Sequence, residues 1–335
     1  MKNVELLREI EKKFTSTSLG TYGVLPKEKA NDFINLTLTQ SALLSAVTTY
    51  QTDNHAGEFY VFDLPGHVIK AAPTEGSAWN GTDTGSFTTN KAFEYSCKKL
   101  ISAFRMTWET INWALNAPDF EDFLVQNWSR RLRDDLEVLA LNGDSSLTTD
   151  PFLGIDDGWL KLIETGLEDT GQIINWVDSS GNPKTIDETL WQLAYKAFIS
   201  NAYARAMVKN PVWIANPIVY TEYMHYLASR SDNLGAAALM GAAELRPDGV
   251  PFFNGANGVP YMPVAADTND NLVTKILLGD PKQLWLVIHR EFRGEYSRKP
   301  ELDAWDWIGW AYVDFVVPFP QTFVLVKNVK VGTAS

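Results

Sequence analysis

The chain has 335 residues, 45% hydrophobic, 12% aromatic and 21% charged, enough apolar material for one elaborated domain or a pair of ordinary ones. With 29 Lys and Arg against 41 Asp and Glu the formal charge is −12, which argues against a task of gripping nucleic acid through its phosphates. The single cysteine, Cys97, excludes an intramolecular disulfide and a cysteine-rich zinc site, and it suits a chain made in a reducing cytoplasm.

The opening MKNVELLREIEKKF sets Val4, Leu7, Ile10 and Phe14 at helical spacing among charges, which reads as a short amphipathic helix or arm and not as a signal peptide. Residues 15–30, with Gly20, Gly23 and Pro26, read as an extended connector, and Asn31 to Ala46 as a second short helix. Glu58 to Leu64 (EFYVFDL) is an aromatic and β-branched strand closed by Pro65-Gly66. The next long strand signal starts near Phe93, in AFEYSCKKLISAFRMTW. Between them lies a Gly- and Thr-rich stretch with Gly66, Gly76, Gly81 and Gly85, and a loop of that length needs a function or a second body to lie against. Trp79, in SAWNG, sits at its middle. It either folds back onto its own domain or anchors a neighbouring molecule, since Trp is over-represented among interface hot spots.

Asn116 to Gly143 is the clearest helix. Pro118 suits its first turn, Asp119, Glu121 and Asp122 complement its positive end, and Phe120, Leu124, Trp128, Leu132 and Leu136 make one apolar stripe. Asp134, Asp135 and Glu137 lie at the unfavourable end and are offset by Arg130, Arg131 and Arg133. Gly143 is the stop. Further on, Thr185-Ile-Asp-Glu188 reads as a capping box opening a helix to about Met207, ended by Asn210-Pro211. Val212 to Ala215 is a short strand, and Asn216-Pro217 the N-cap and first position of IVYTEYMHYLAS. Residues 231–260 read as loops around a small helix. From Asn271 the text turns to β: NLVTKILLGD, QLWLVIHREF, WIGWAYVDFVV and TFVLVKNV. The class is α+β, with strands interleaved among helices. The late apolar stretch Ala304 to Pro320 carries Asp306, Asp314 and Pro318 and is no membrane span.

Catalytic patterns are missing. There is no GxxxxGK[ST], no GxGxxG after a strand, no GxSxG and no HExxH. Among His55, His67, His225 and His289, the last reads as an ordinary partnered side chain on a strand. Asp267 to Asn271 begins like a calcium loop but has Leu272 where the turn glycine belongs and Leu278 where the bidentate Glu belongs, so it reads as a polar turn. Asp156-Asp157, in GIDDGW, are adjacent carboxylates that splay apart in a turn. The enzyme alternative is a carbohydrate-active protein, with Glu301, Asp303, Trp305, Asp306 and Trp307 as a sugar-stacking, acid-bearing segment. Against it, the 12 Trp residues are spread along the chain. No catalytic, cofactor or metal residue is assigned.

Set in order, these parts resemble the major capsid proteins of tailed bacteriophages with the Hong Kong 97-type fold. The resemblance rests on the helix ending Leu139 to Asp144, Gly154-Ile155, Ala215-Asn216-Pro217, Gly258 to Val264 and Gly279-Asp280, and covers roughly residues 45–330. It implies an N-terminal arm (1–48) and a β-hairpin with its base strands (49–110), its extended loop at about 65–91. It further implies a peripheral-domain spine helix (111–150), a mainly axial part (151–275) and returning strands (276–335). It also implies self-assembly into hexamers and pentamers of an icosahedral shell around double-stranded DNA held without sequence-specific contacts. The virion would be assembled in the host cytoplasm, with scaffolding, portal and decoration proteins as further partners and no membrane. Trp79, Asn80 and Phe87 are the expected contacts with a neighbouring subunit. Lys91 and Asn90 lie near the return strand with no motif for cross-linking. Within the same fold the alternative is an encapsulin-like compartment shell.

Overall fold

The computed structural model describes residues 41–63, 88–107, 120–168, 170–230, 245–289 and 293–333, together with positions 75 and 109. Ser41 has extended backbone (φ −94°, ψ 133°) and its hydroxyl accepts the Leu44 N–H, so it opens α1 (Ala42–Ala46). The helix expected from Asn31 therefore cannot run through Ser41, and residues 31–40 lie outside the described residues. β1 (Thr48–Thr52) follows, then β2 (Ala56–Asp63) pairs antiparallel with β3 (Thr88–Ser96) as a two-stranded hairpin. The strand signal that reads as one from Phe93 onward is broken at Cys97, where β4 (Lys98–Thr107) begins and enters a different sheet.

α2 (Phe120–Asn142) has 23 residues, roughly 35 Å at about 1.5 Å per residue. Its inward positions include Ser129, Leu136, Leu139, Ala140 and Leu141, all buried. Arg131 pairs with Asp135 one turn on, at 3.4 Å. Glu137 departs from the expected ladder of surface charges: it points inward, and Ser41 donates to it at 2.7 Å. α3 (Trp159–Gly166) packs beside the end of α2, with Trp159, Leu160 and Ile163 buried.

The first sheet is ordered β1, β10 (Trp285–His289), β12 (Ala304–Val316), β11 (Arg293–Lys299), and β4 pairs with the other edge of β12. β10 and β11 occupy successive stretches of one edge of the long β12. Alternation divides the two faces of this sheet. Ser102 and Phe104 meet Trp128 of α2, through a 2.7 Å hydrogen bond and an edge-on ring contact at 5.2 Å. Ile101 and Arg105 stand on the opposite, exposed face.

The second sheet is built on β13 (Val324–Thr333), flanked by β9 (Asn271–Gly279) and by β5 (Ile173–Asn175) with β6 (Lys184–Thr185); β7 (Val212–Ile214) and β8 (Val264–Ala266) join β9. It is covered on both sides, which is why its strands read as continuous apolar runs. Ile214, Leu277 and Leu325 face one core, shared with Trp159, Leu284, Leu286 and Phe315. Trp213, Ile276, Leu278, Val324 and Val326 face another, centred on Trp191. There the Trp191 ring meets Trp213, Tyr223 and Phe252 edge-on at 4.8, 5.2 and 5.6 Å.

The helices over that second core correct one expectation and bear out another. Thr185 lies in β6, and Asp187 is the N-cap of α4 (Glu188–Ser200), its carboxylate accepting Leu190 N–H at 3.0 Å. The helix does not continue to Met207. Asn201 is extended and its side chain caps a new helix, α5 (Ala202–Met207). Asn216 caps α6 (Pro217–Ala228) as expected, and its amide also donates to the carbonyls of Pro260 and Met262, tying down the Gly258 to Val264 segment. Asp267 closes a polar turn by accepting the N–H groups of Asn269 and Asn271. Residues 231–244, where a small helix is expected, lie outside the described residues.

Candidate functional site

The hairpin of β2 and β3 meets the body through aromatic and hydroxyl contacts. Its inner face carries Phe59, Phe93 and Tyr95. Phe59 meets Tyr50 and Trp285 edge-on at 4.7 and 5.2 Å, Phe93 meets Phe319, and the Tyr95 hydroxyl bonds Thr52 at 3.0 Å. The outer face carries Glu58 directly opposite Glu94, both exposed. Like charges so placed repel, and the Tyr60 hydroxyl donates to Glu58.

At the junction of β3 with β4, Cys97 N–H donates to the His55 carbonyl at 2.8 Å. The His55 ring stacks on His289 at 4.0 Å, with Tyr312 beside both. His289 is the buried, partnered strand residue expected, its Nε2 donating to the Asp53 carbonyl at 2.9 Å. Burial, then the charge of Asp314, pushes the Cys97 thiol up to about 11, so it stays protonated.

A cleft of about 500 Å³ opens beside this junction, lined by Phe93 to Ser96 and Lys98, by Asp156 and Asp157, by Leu162, and by Asp314 to Val317. Its polar centre is a pair of carboxylates from distant parts of the chain. Asp314, on the otherwise apolar end of β12, accepts the Ser96 N–H at 2.6 Å and is 8% exposed. Asp156 is equally buried. One of its oxygens accepts Asp157 N–H at 3.1 Å, and the other has no hydrogen-bond donor. Burial, then the charge of Asp314, raises Asp156 to about 7.

Asp157 does splay away from Asp156, as its adjacency suggested. It accepts Ser145 N–H at 2.7 Å and the Lys161 ammonium at 2.9 Å. Lys161 also binds Asp144 at 2.5 Å, and Lys161 and Ser146 together hold the Asp144 carboxyl down at about 2. This ionic clasp fastens the GIDDGW turn to the end of α2 and so fixes where Asp156 points.

Trp79, Asn80 and Phe87 lie outside the described residues, while Asn90 and Lys91 fall on β3. Among the described residues, the segment suspected of sugar chemistry is not gathered into one cleft. Asp306 is tied to Arg105 by a paired contact at 2.5 and 2.9 Å, Trp307 stacks on Phe104 across the sheet, and Asp303 turns the chain in the left-handed region. Sequence reasoning missed the pairing of Asp156 with Asp314. The available signal was a lone acid inside the apolar run Ala311 to Val317.

No protein-family model matches the chain. A Bacillus subtilis (strain 168) chain described as "Putative prophage capsid protein YqbE" is 26% identical over 298 residues, spanning 89% of each chain. Among solved structures, a chain of the satellite phage P4 procapsid with the size determination (Sid) protein matches with TM-score 0.68 at 16% identity, over 100% of this chain and 99% of that one. A capsid chain of the native GTA particle matches with TM-score 0.53 at 14% identity, over 86% and 90%. The fold is that of the Hong Kong 97-type capsid chains, and the resemblance drawn from the ordered motifs holds.

Proposed function

We propose that this chain is a major capsid subunit of a tailed-phage or prophage particle, building a closed icosahedral shell from copies of itself. The observation that carries this reading is the end-to-end match to a procapsid chain, with neither chain left over. The prophage capsid likeness at the sequence level supports it independently.

In this reading the first sheet and α2 make the peripheral part, and the second sheet with α4 to α6 the axial part that meets its copies around hexamer and pentamer centres. The arm, expected over 1–48, is shortened to residues 1–40, because α1 and the start of β1 pack in the body. The loop, expected over 65–91, is shortened to 65–87, because 88–91 pair in β3, and it reaches over a neighbour through Trp79, Asn80 and Phe87. Closed symmetry lets many modest contacts of this kind sum to a stable shell. The shell encloses double-stranded DNA, and the net charge of −12 lets the genome slide along a wall that does not grip it. Scaffolding, portal and decoration proteins are the further partners, assembly occurs in the host cytoplasm, and the subunit performs no catalysis. Among the described residues no helix is long and apolar enough to cross a membrane.

Sedimentation of the full chain expressed alone, and then with its candidate scaffold, tests the reading. Fast-sedimenting particles of uniform size support it. A chain that stays a small monomer under both conditions contradicts it, and uniform particles filled with a protein cargo instead of DNA after infection point to an encapsulin-like compartment.

A further inference from the structure

We propose that Asp156 carries a proton that it donates to Asp314, and that this proton latches the base of the hairpin to the end of the spine helix. The geometry carries the argument. The two carboxylates come from separate elements, the turn after α2 and the end of β12, and both are more than nine-tenths buried. The second oxygen of Asp156 has no donor, which is costly for an anion but natural for a hydroxyl that donates to Asp314. Asp314 in turn holds the Ser96 N–H at the last residue of β3. One proton therefore links helix end, sheet and hairpin, and the adjoining cleft gives water a route to it.

The charged and titratable groups around the pair define the balance. Lys98, at the start of β4, favours the ionised form of Asp156. Glu94 lies on the cleft wall, Asp157 is turned outward to Lys161, and Cys97 is a neutral thiol. Burial and the Asp314 charge outweigh Lys98, so the closed state keeps its proton up to about pH 7, against 3.8 for a solvated Asp. The closed latch binds the proton more tightly than the open one. Its extra stability is complete below pH 3.8, falls as pH rises, and is gone above about 7.

Cys97, the only cysteine, sits in the junction and reports its opening. Maleimide labelling of the full, unassembled chain is compared with that of Asp156→Asn at the same pH, from 5 to 8. Both chains label through the open junction, where Cys97 is solvated and away from Asp156, so that the thiol's own ionisation there cancels. Asn supplies a permanent neutral donor to Asp314. The wild-type to variant rate ratio is expected to climb by up to about tenfold per pH unit between pH 5 and 7 and then to level off. Asp314→Asn, which keeps an acceptor for Ser96, flattens the same rise and serves if the first variant does not fold. A ratio constant across the range overturns the latch. So does a rise that shifts when Mg²⁺ or Ca²⁺ is added, since the pair would then be a cation site.

Discussion

Gly143 and Gly158 meet backbone to backbone: the Gly158 N–H donates to the Gly143 carbonyl at 2.8 Å, and a Cβ on Gly158 would lie 2.7 Å from the Gly143 nitrogen. A Cβ on Gly143 would in turn lie 2.4 Å from the Asp156 carbonyl oxygen. Gly143 is needed for this close approach, since its φ is not among the positive ones, and the helix stops where the GIDDGW turn crosses it. Replacing either glycine by alanine should destabilise the chain by about 2–4 kcal/mol, because only backbone can yield. Urea denaturation of the full chain measures this; a loss below half a unit would mean the crossing adjusts freely.

Ser41 joins the entry of the chain to the spine helix by capping α1 and donating to Glu137. Burial raises the Glu137 carboxyl, and the Ser41 hydroxyl is the chief group opposing that rise. Ser41→Ala should cost about 1 kcal/mol for the cap and about 1–3 kcal/mol more for the acid left unpaired. The variant's carboxyl is raised further, so its deficit is largest at pH 7 to 8 and shrinks as acid protonates Glu137. Thermal melts at pH 5 and 8 read the difference.

Glu164 on α3 reaches Lys275 of β9 at 3.0 Å and Lys327 of β13 at 2.6 Å. Burial pushes its carboxyl up, but the hydrogen bonds from Lys327 and Lys275 outweigh it and the net shift is downward. Stability from this triad is present above pH 4.5 and is lost as pH falls through the lowered value. The groups are about a third exposed, so Glu164→Gln should cost only about 0.5–1 kcal/mol, with most of the effect gone at high salt.

Trp79→Ala should leave the isolated subunit's melting temperature unchanged while weakening capsomer and shell formation, by about 2 kcal/mol or more per contact if it is a hot spot. Light scattering during assembly and a melt of the unassembled chain separate the two effects. A lowered melt with normal assembly would place Trp79 in its own subunit's core.

Elements buried on two faces were readable because their sequence is apolar without interruption, as in Ile276 to Leu278 and Phe323 to Val326. The spine helix was readable from its stripe, and Asn216 from its place before Pro217. Boundaries set by a single polar side chain were not. Asn201 divides one apolar periodicity into α4 and α5, and nothing in the hydrophobic pattern marks it. β11, carrying Arg293, Glu295, Arg298 and Lys299, lies at a sheet edge and so lacks the apolar signature of a strand. The Asp156–Asp314 pair was invisible for another reason: each acid reads as a turn or strand residue alone, and only the β12 register brings Asp314 beside the turn after α2.

The central claim is that this subunit completes itself on its copies, and a cryo-electron-microscopy reconstruction of the particles formed by the full chain tests it most directly. The account predicts closed icosahedral shells in which the density for residues 65–87 crosses onto an adjacent subunit. A chain that forms no shell, or one whose 65–87 segment lies wholly against its own body, would contradict it.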